Sequence, residues 1–292
     1  MIDICADDYG LCASVSERIQ ECIDKGAIDK VSVFPNMDPI DWNRIVKNRK
    51  IRVALHVNLV EGMCMTEPGQ IPLLADEAGR FRHTFFGLFC SSLVHRKALE
   101  AQLYREIQAQ VRFWQSILPP GAPFCIDSHQ HVHMIPAVFH ALLRVLEDEA
   151  ISVNHMRIPA EPILPYLQMP SLYLTYSPTN LIKQWLLNFL WLFNRKQAKK
   201  AHIPTAHFMG ILFSGHMDAH RVARVLPKYK KLAEKDGKRV EVLFHPGYIE
   251  NEELDFQKKH IVFEAFYLSK HRKTEFDSVM KNQKEGYANA LP

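Results

Sequence analysis

The sequence lacks the features that mark several classes of protein. Its six cysteines are scattered over 292 residues without a Cys-x-x-Cys pair, which excludes a disulfide framework and predicts reduced thiols. No run of about 18 apolar residues is present, so a membrane-spanning helix is excluded. Residues 1–8 have neither the basic region nor the apolar region of a secretory signal peptide, and we therefore expect a cytoplasmic protein.

An excess of charge of one sign is also missing. The 36 lysines and arginines face 32 aspartates and glutamates, for a formal net charge of +4. Such a balance does not indicate a nucleic-acid partner. Apolar residues make up 47% of the chain and charged residues 23%, which allows a large core and excludes a disordered or collagen-like chain.

Short apolar segments that alternate with helical segments predict parallel βαβ units, and hence an α/β protein. The first helix is predicted to start with a capping box of Ser14 and Glu17 and to end at Gly26. A long helix is predicted over residues 97–118, and another begins at Pro136. Strands are expected near residues 2–4, 31–33, 51–57, 124–126, 152–158 and 240–244.

Residues 162–203 break this alternation. Several prolines precede an apolar run, 185–193, which has basic residues on both sides. The run is too short to span a bilayer. Three interpretations stay open: a buried lid or insertion helix, a homodimer contact, or an interfacial helix whose basic flanks meet anionic lipid.

Polar clusters follow several predicted strands, at the ends where parallel α/β folds place their sites. Asp7 and Asp8 follow the first strand, and two adjacent carboxylates repel each other unless a cation or hydrogen bonds offset the charge. A metal site and an exposed turn are both open for this pair. His56 alternates with the apolar residues of its strand and so points to the opposite face, where a lone histidine is more often a core residue than a ligand.

The histidine-rich stretch after the fourth predicted strand is the strongest signal. Asp127, His129, His131 and His133 would share one side if the backbone stayed extended. Histidines at this spacing can bind one ion, with Asp127 as a ligand or as the hydrogen-bond partner of a ligand. The alternative is that one or two of them cap the helix that starts at Pro136.

A further histidine, His245, ends the last predicted strand before the turn that Pro246 and Gly247 impose. An imidazole held there can act as a general acid near neutral pH. A structural role is the alternative.

Four motifs occur in a fixed order along the chain: 6–11, 55–59, 126–133 and 245–247. Together they closely resemble the YdjC-like family, the carbohydrate deacetylases related to chitooligosaccharide deacetylase and the hopanoid-associated deacetylases. The resemblance runs from Asp7 to about Tyr248, with residues 157–159 and 210–215 as supporting matches. Further on, Arg272 and Glu275 match only loosely.

This resemblance implies a (β/α) barrel-like deacetylase fold, in one domain over residues 1–292 with a variable helical insertion at 162–203. It implies that Asp8, His56 and His129 bind one divalent metal ion. By a looser analogy with polysaccharide deacetylases, Asp7 takes the position of the catalytic base and His245 that of the catalytic acid. Four further residues that match the family are expected to bind the substrate or to support the metal ligands: Asp127, His131, His133 and Arg157.

The implied enzyme is a hydrolase of a non-peptide amide bond, which removes the acetyl group of an N-acetylated sugar or oligosaccharide, free or lipid-linked. Family usage favours Mg²⁺, whereas two imidazoles suit Zn²⁺, Mn²⁺ or Co²⁺ better, so the ion stays open. Two other classes of function are weighed. A metal-dependent phosphoesterase would need a second metal and more acidic ligands, and a membrane-surface or partner-binding protein would act through residues 185–193.

Overall fold

Parallel strands form a curled half-barrel with helices around it in the computed structural model, which describes residues 1–37, 41–48, 50–249 and 264–285. The strands of the described chain are β1 (Ile2–Tyr9), β2 (Lys30–Val33), β3 (Arg52–Val57), β4 (Phe124–Ser128), β5 (Val153–Met156), β6 (His207–Met209) and β7 (Val240–Phe244). Their order in the sheet is β5-β4-β3-β2-β1-β7-β6, and every neighbouring pair is parallel. The α/β class and the barrel-like sheet are thereby confirmed.

Most of the helices connect successive strands. Those of the described chain are α1 (Ala13–Asp24), α2 (Trp42–Val46), α3 (Phe85–Val94), α4 (Arg96–Ile117), α5 (Pro136–Asp148), α6 (Leu164–Leu167), α7 (Pro178–Lys200), α8 (Ala219–Asp236), α9 (Glu264–Tyr267) and α10 (Lys270–Glu285). Short 3₁₀ helices cover Pro68–Gln70, His129–Met134 and Pro170–Thr175. No helix among the described residues has the length and apolar character that crossing a membrane requires.

The first helix shows where local sequence rules hold and where they fail. Gly26 ends α1 as expected: its N–H bonds to the carbonyl of Ile23, and the N–H of Ala27 bonds to that of Cys22. The predicted capping box of Ser14 and Glu17 is wrong, because α1 already begins at Ala13, one residue before Ser14. The long helix predicted over residues 97–118 is confirmed as α4. Its apolar residues Leu99, Leu103, Ile107, Val111 and Trp114 are fully buried, whereas Leu118, just beyond its end, is partly buried.

The inner face of the half-barrel is charged, whereas the outer face packs against helices. Lys30 Nζ lies 2.9 Å from Glu241 Oε1, and the same carboxylate oxygen accepts a 2.6 Å bond from Arg157 Nε. Arg157 also lies 3.3 Å from Asp127 Oδ2, and all four residues are almost completely buried. Removing one charged partner from such a network lowers the free energy of unfolding by about 3–5 kcal/mol, because the remaining charge stays buried. The network therefore holds β2, β4, β7 and the residue that follows β5 in a single arrangement.

Residues 162–203 contain α6, a 3₁₀ helix and α7. The long helix α7 is tied to the rest of the fold by buried amides: Gln184 Nε2 donates to the carbonyl of Glu161 at 2.7 Å, and Asn194 Nδ2 donates to that of Met134 at 2.8 Å. Leu187 and Leu190 are buried beside them. The helix thus packs against α5 and the turn that follows β4.

Candidate active site

A cavity of about 630 Å³ opens at the carboxyl ends of the strands, where parallel sheets place their sites. Side chains at the ends of four strands form its polar floor. Helices α3, α7, α9 and α10 supply its walls. The polar floor residues are Asp7, Asp8, His56, His129, His131 and His245.

The end of β1 departs from a regular strand so that two adjacent carboxylates reach the same cavity. The pairing of β1 with β2 shifts register between Ala6 and Tyr9, as in a β-bulge. Asp8 has a φ of +75°, in the left-handed region that aspartate tolerates better than most residues. Since neighbouring residues of a regular strand point to opposite faces, this irregularity is what aims both Asp7 and Asp8 into the cavity.

The turn after β4 is also irregular, and it corrects one expectation. Asp127, His129, His131 and His133 do not lie on an extended segment: residues 129–134 form a 3₁₀ turn in which Gln130 and His131 have φ values of +50° and +60°. Two consecutive left-handed residues are strained, and such strain concentrates at functional sites. The turn directs His129 and His131 into the cavity, whereas Asp127 and His133 lie behind it.

Three ligand-type atoms meet on the cavity floor. Asp8 Oδ1 lies 3.2 Å from His129 Nδ1 and 3.6 Å from His56 Nε2. The three ligand atoms lie within 4.8 Å of one another, and all three residues are buried. His56 Nε2 has no hydrogen-bond partner among the described residues, although a buried nitrogen normally has one. The remaining nitrogen of each ring is already held by a carboxylate: His56 Nδ1 by Asp127 Oδ1 at 2.6 Å and His129 Nε2 by Glu61 Oε2 at 2.9 Å.

The electrostatics of this group favour a cation. Burial opposes protonation of His56, but Asp7, Asp127 and Asp8 outweigh it and raise the pKa of the imidazole to about 10. Burial likewise opposes ionisation of Asp8, yet Arg272 and the two histidines keep the pKa of that carboxyl well below its usual range. The carboxylates around the two imidazoles therefore favour positive charge at this point of the floor.

Asp7 is held at one oxygen and open at the other. Arg157 Nη1 donates to Asp7 Oδ2 at 2.5 Å, whereas Asp7 Oδ1 has no hydrogen-bond partner among the described residues. His133 supports this arrangement from behind: its Nε2 donates to the carbonyl of Arg157 at 2.9 Å, and its Nδ1 lies 2.5 Å from the Ser128 hydroxyl. Burial lowers the pKa of His133 to about 4, so the ring is neutral.

His245 lines the floor directly after β7, the strand that pairs with β1. Its backbone N–H donates to Glu275 Oε2 at 2.5 Å, and its Nδ1 lies 3.4 Å from the same oxygen. Glu275 also accepts from the N–H of Gly215 at 2.7 Å, so this buried carboxylate joins two loops that border the cavity. His131 completes the floor as a neutral imidazole, because burial lowers its pKa well below the usual value.

Several residues of the site escaped the sequence-based prediction. Arg272 donates to Asp8 Oδ2 at 2.6 Å and lies over the ring of Tyr267, whose hydroxyl donates to Glu61 Oε2 at 2.9 Å. Lys183 of α7 lines the same cavity, and burial lowers the pKa of its ammonium. The loose match at Arg272 and Glu275 was the available signal for the helix α10; Glu61, Tyr267 and Lys183 gave none.

Comparison with known proteins agrees with this geometry. The family model described as YdjC-like protein matches residues 1–288. The chain belongs to the YdjC-like family. This membership covers nearly the whole chain, including the C-terminal segment that carries Arg272 and Glu275.

The curated relatives of this YdjC-like chain carry the name carbohydrate deacetylase. The protein from Danio rerio is 30% identical over 56% of this chain, a match that spans 51% of that protein. Those from Mus musculus and Homo sapiens are each 27% identical over 84% of this chain, and the matches span 77% and 74% of them. A solved structure from Enterococcus faecalis V583, named as a cellobiose-phosphate cleavage protein, has a TM-score of 0.61 at 16% identity and covers 97% of this chain and 94% of its own. That likeness supports the fold.

Proposed function

We propose that this chain is a metal-dependent carbohydrate N-deacetylase, which hydrolyses the acetamide of an N-acetylated sugar to acetate and a free amine. The observation that carries the proposal is the buried group of Asp8, His56 and His129 next to the open oxygen of Asp7. Family membership and the names of the curated relatives point to the same reaction. We further propose that residues 1–292 act as one domain, in which 162–203 is an insertion that walls the cavity.

The residues of the floor fit a divalent ion. One carboxylate and two imidazoles are a donor set that suits Zn²⁺, Mn²⁺ or Co²⁺ better than Mg²⁺. The unpartnered Nε2 of His56 and the carboxylates behind both rings are the arrangement found around metal-bound histidines, where the outer carboxylate fixes the tautomer. When bound, such an ion would supply Lewis-acid polarisation of the acetyl carbonyl and would lower the pKa of a bound water.

Asp7 has the properties of a general base. Its Oδ1 faces the cavity without a hydrogen-bond partner among the described residues, so it can accept the proton of an attacking water. Arg157 holds the other oxygen and thereby sets the orientation of the carboxylate.

His245 has the position of a general acid. It lines the cavity directly after β7, the strand that pairs with β1 and so lies next to Asp7. Glu275 accepts from its backbone N–H and lies 3.4 Å from its ring Nδ1. An imidazolium held there would give its proton to the departing sugar amine, while the C–N bond breaks and acetate remains. Together, Asp7 and His245 would move one proton from water to the amine.

The cavity wall supports an N-acetylated sugar that carries an apolar group. Its volume of about 630 Å³ lies within the usual range for small-molecule sites. Phe85, Phe86, Ile182 and Leu186 give the wall on the side of α3 and α7 an apolar surface. We therefore include lipid-linked N-acetylated sugars in the proposed substrate class.

Among the described residues, the phosphoesterase hypothesis has no independent second metal site to support it, because the other candidate group shares His56 with the first. Asp7, His56 and Asp127 also lie within ligand distance of one another. However, Asp127 already bonds to His56 and to Ser32 Oγ at 2.6 Å each, and Asp7 Oδ2 is held by Arg157. Both oxygens of Asp127 and one oxygen of Asp7 are therefore already bonded within the protein.

The test is acetate release from an N-acetylated oligosaccharide, measured with the metal-free protein and after addition of Zn²⁺, Mn²⁺, Co²⁺ or Mg²⁺ in turn. We expect activity with at least one ion, none in the Asp8→Ala variant, and unchanged activity in Asp148→Ala, a surface carboxylate outside the cavity. Nitrophenyl phosphate serves as the competing substrate. Hydrolysis of the phosphate ester without acetate release would overturn the proposal.

A further inference from the structure

Many of the large apolar side chains that are exposed to solvent lie on α3 and α7, two of the helices that wall the cavity. Phe86 of α3 and Ile182 of α7 are 62% and 64% exposed, and both line the cavity itself. The two helices therefore form opposite parts of one rim. Further exposed apolar residues on them are Leu93, Val94, Leu181, Trp185, Phe189, Leu192 and Phe193. We call the exposed apolar side chains of α3 and α7 the rim surface.

Helix α7 exposes large apolar side chains, although its buried side also contains apolar residues, Leu187 and Leu190. Its buried side carries Gln184 and Asn194, whose amides bond to backbone carbonyls, whereas Trp185 on its solvent side is 66% exposed. An ordinary helix at the surface of a soluble domain buries its apolar stripe and exposes its polar side chains. Packing of the core therefore does not account for the exposed aromatic residues of α7, which are Trp185, Phe189 and Phe193.

Those aromatic residues form one continuous stripe. The rings of Trp185 and Phe189 are stacked with centroids 5.6 Å apart, and Phe189 contacts Phe193 edge-on at 5.1 Å. At helical spacing the same stripe continues into Lys196 and Lys200, which are both exposed. An aromatic stripe that ends in lysines matches the polarity of a bilayer surface, where aromatic rings and basic head groups reside.

The charged residues of the two helices that carry the rim surface are all basic. Neither α3 nor α7 contains an aspartate or a glutamate, while α7 contains five basic residues. A second copy of the chain that docked through the same surface would offer no carboxylate from these helices to the lysines. Anionic lipid head groups would offer negative charge to these lysines. Each basic residue near such a surface contributes about 1 kcal/mol of attraction.

We infer that the rim surface docks onto a membrane that contains anionic lipid, with the mouth of the cavity facing the bilayer. The apolar side chains enter the boundary of the acyl chains, and Lys196 and Lys200 contact the head groups. As it concerns substrate, this inference rests on the proposed function: a lipid-linked N-acetylated sugar reaches the cavity from the membrane, with its lipid along Phe86 and Ile182.

The experiment is co-sedimentation of the full chain with vesicles, without metal or substrate, so that its outcome does not depend on deacetylation. Vesicles of phosphatidylcholine alone are compared with vesicles that also contain phosphatidylglycerol. We expect binding to the anionic vesicles and a loss of about tenfold or more in the partition coefficient of the double variant Trp185→Ser, Phe189→Ser. Both residues lie outside the cavity lining, and circular dichroism checks that the variant folds.

Two charge variants make the test specific. Lys196→Glu with Lys200→Glu should lower binding to anionic vesicles at least as strongly as the aromatic variant. Lys231→Glu with Lys235→Glu changes the net charge equally on α8, which contributes no described residue to the cavity, and should bind like the unmodified chain. Equal losses in both charge variants would overturn the inference, since binding would then follow net charge alone. Failure of the unmodified chain to bind either vesicle would also overturn it, as would a dimer, seen in sedimentation velocity, that the aromatic variant abolishes.

Discussion

Replacement of Glu61 by glutamine tests whether the carboxylate behind His129 contributes to metal binding. Glu61 Oε2 accepts from His129 Nε2 at 2.9 Å and from the Tyr267 hydroxyl at 2.9 Å. Glutamine has nearly the same shape and can still accept one hydrogen bond. The substitution therefore removes the charge and keeps most of the packing of this buried side chain.

The size of the effect follows from the kind of hydrogen bond that is lost. A bond to a charged group contributes about 1.5–3 kcal/mol, against about 1 kcal/mol for a neutral one. The difference of about 1–2 kcal/mol corresponds to roughly 5- to 30-fold in metal affinity. Loss of the outer partner of a metal-bound histidine typically lowers affinity by about 10- to 100-fold, which overlaps this range.

The sign of the pH dependence also follows. Burial opposes protonation of His129, but Glu61 and Asp8 outweigh it and raise the pKa of the ring above its usual value. In the unmodified chain a proton therefore competes with the metal more strongly than in Glu61→Gln. We expect the loss of affinity to be largest at high pH, where the ring is neutral in both proteins, and to shrink as the pH falls.

Zn²⁺ affinity is measured by competition with a coloured chelator at several pH values. Glu106→Gln is the matched control, because Glu106 is an equally buried carboxylate that accepts backbone N–H bonds from Met65 and Thr66, outside the cavity. The control should lower the melting temperature and leave the dissociation constant unchanged. Equal dissociation constants for Glu61→Gln and the unmodified chain across the pH range would refute the assigned role of Glu61.

Three further predictions concern single residues. Asp7→Asn should keep the affinity for metal and lower the rate of acetate release by about 10²- to 10⁴-fold, since a general base is lost; full activity would exclude Asp7 as the base. His245→Ala should lower the turnover number by about 10²-fold or more without changing metal affinity, and an unchanged rate would leave His245 with a structural role only. Burial opposes ionisation of Asp3, but Arg239 and Arg52 outweigh it and lower the pKa of the carboxyl. The ionised carboxylate therefore stabilises the fold above its unfolded pKa of about 4, and this stabilisation is lost as the pH falls through the folded pKa. Asp3→Asn should thus cost about 1–2 kcal/mol at neutral pH in urea unfolding and nothing in strong acid; a constant difference at all pH values would contradict this.

Periodicity was sufficient for most of the fold. The alternation of apolar residues in β1, β3 and β7 and the stripe of α4 are local properties, and they predicted parallel strands separated by helices. The strand β6, with three residues, is too short to show a period and was missed. The parity of His56 correctly predicted that its side chain lies on the face opposite the apolar residues of β3, because that face carries the buried polar network.

The ordered motifs also placed Asp7, Asp8, His56, His129 and His245 in one cavity. The spacing of residues within the motifs did not predict the backbone conformation that directs these side chains into the cavity. The bulge at Asp8 and the left-handed turn at Gln130 and His131 depend on contacts with neighbouring strands, and local spacing carries no information about them. The extended arrangement expected for residues 127–133 failed for this reason.

The amino-acid sequence by itself determined six of the seven described strands, the order in which polar residues follow them, and the family. Tertiary structure alone decided which distant groups complete the floor: Arg272 reaches Asp8 across 264 positions, and Tyr267 reaches Glu61 across 206. The physical reason is that burial makes each charge depend on its partner, and partners are chosen by how the sheet curls and where α10 packs, not by their separation along the chain.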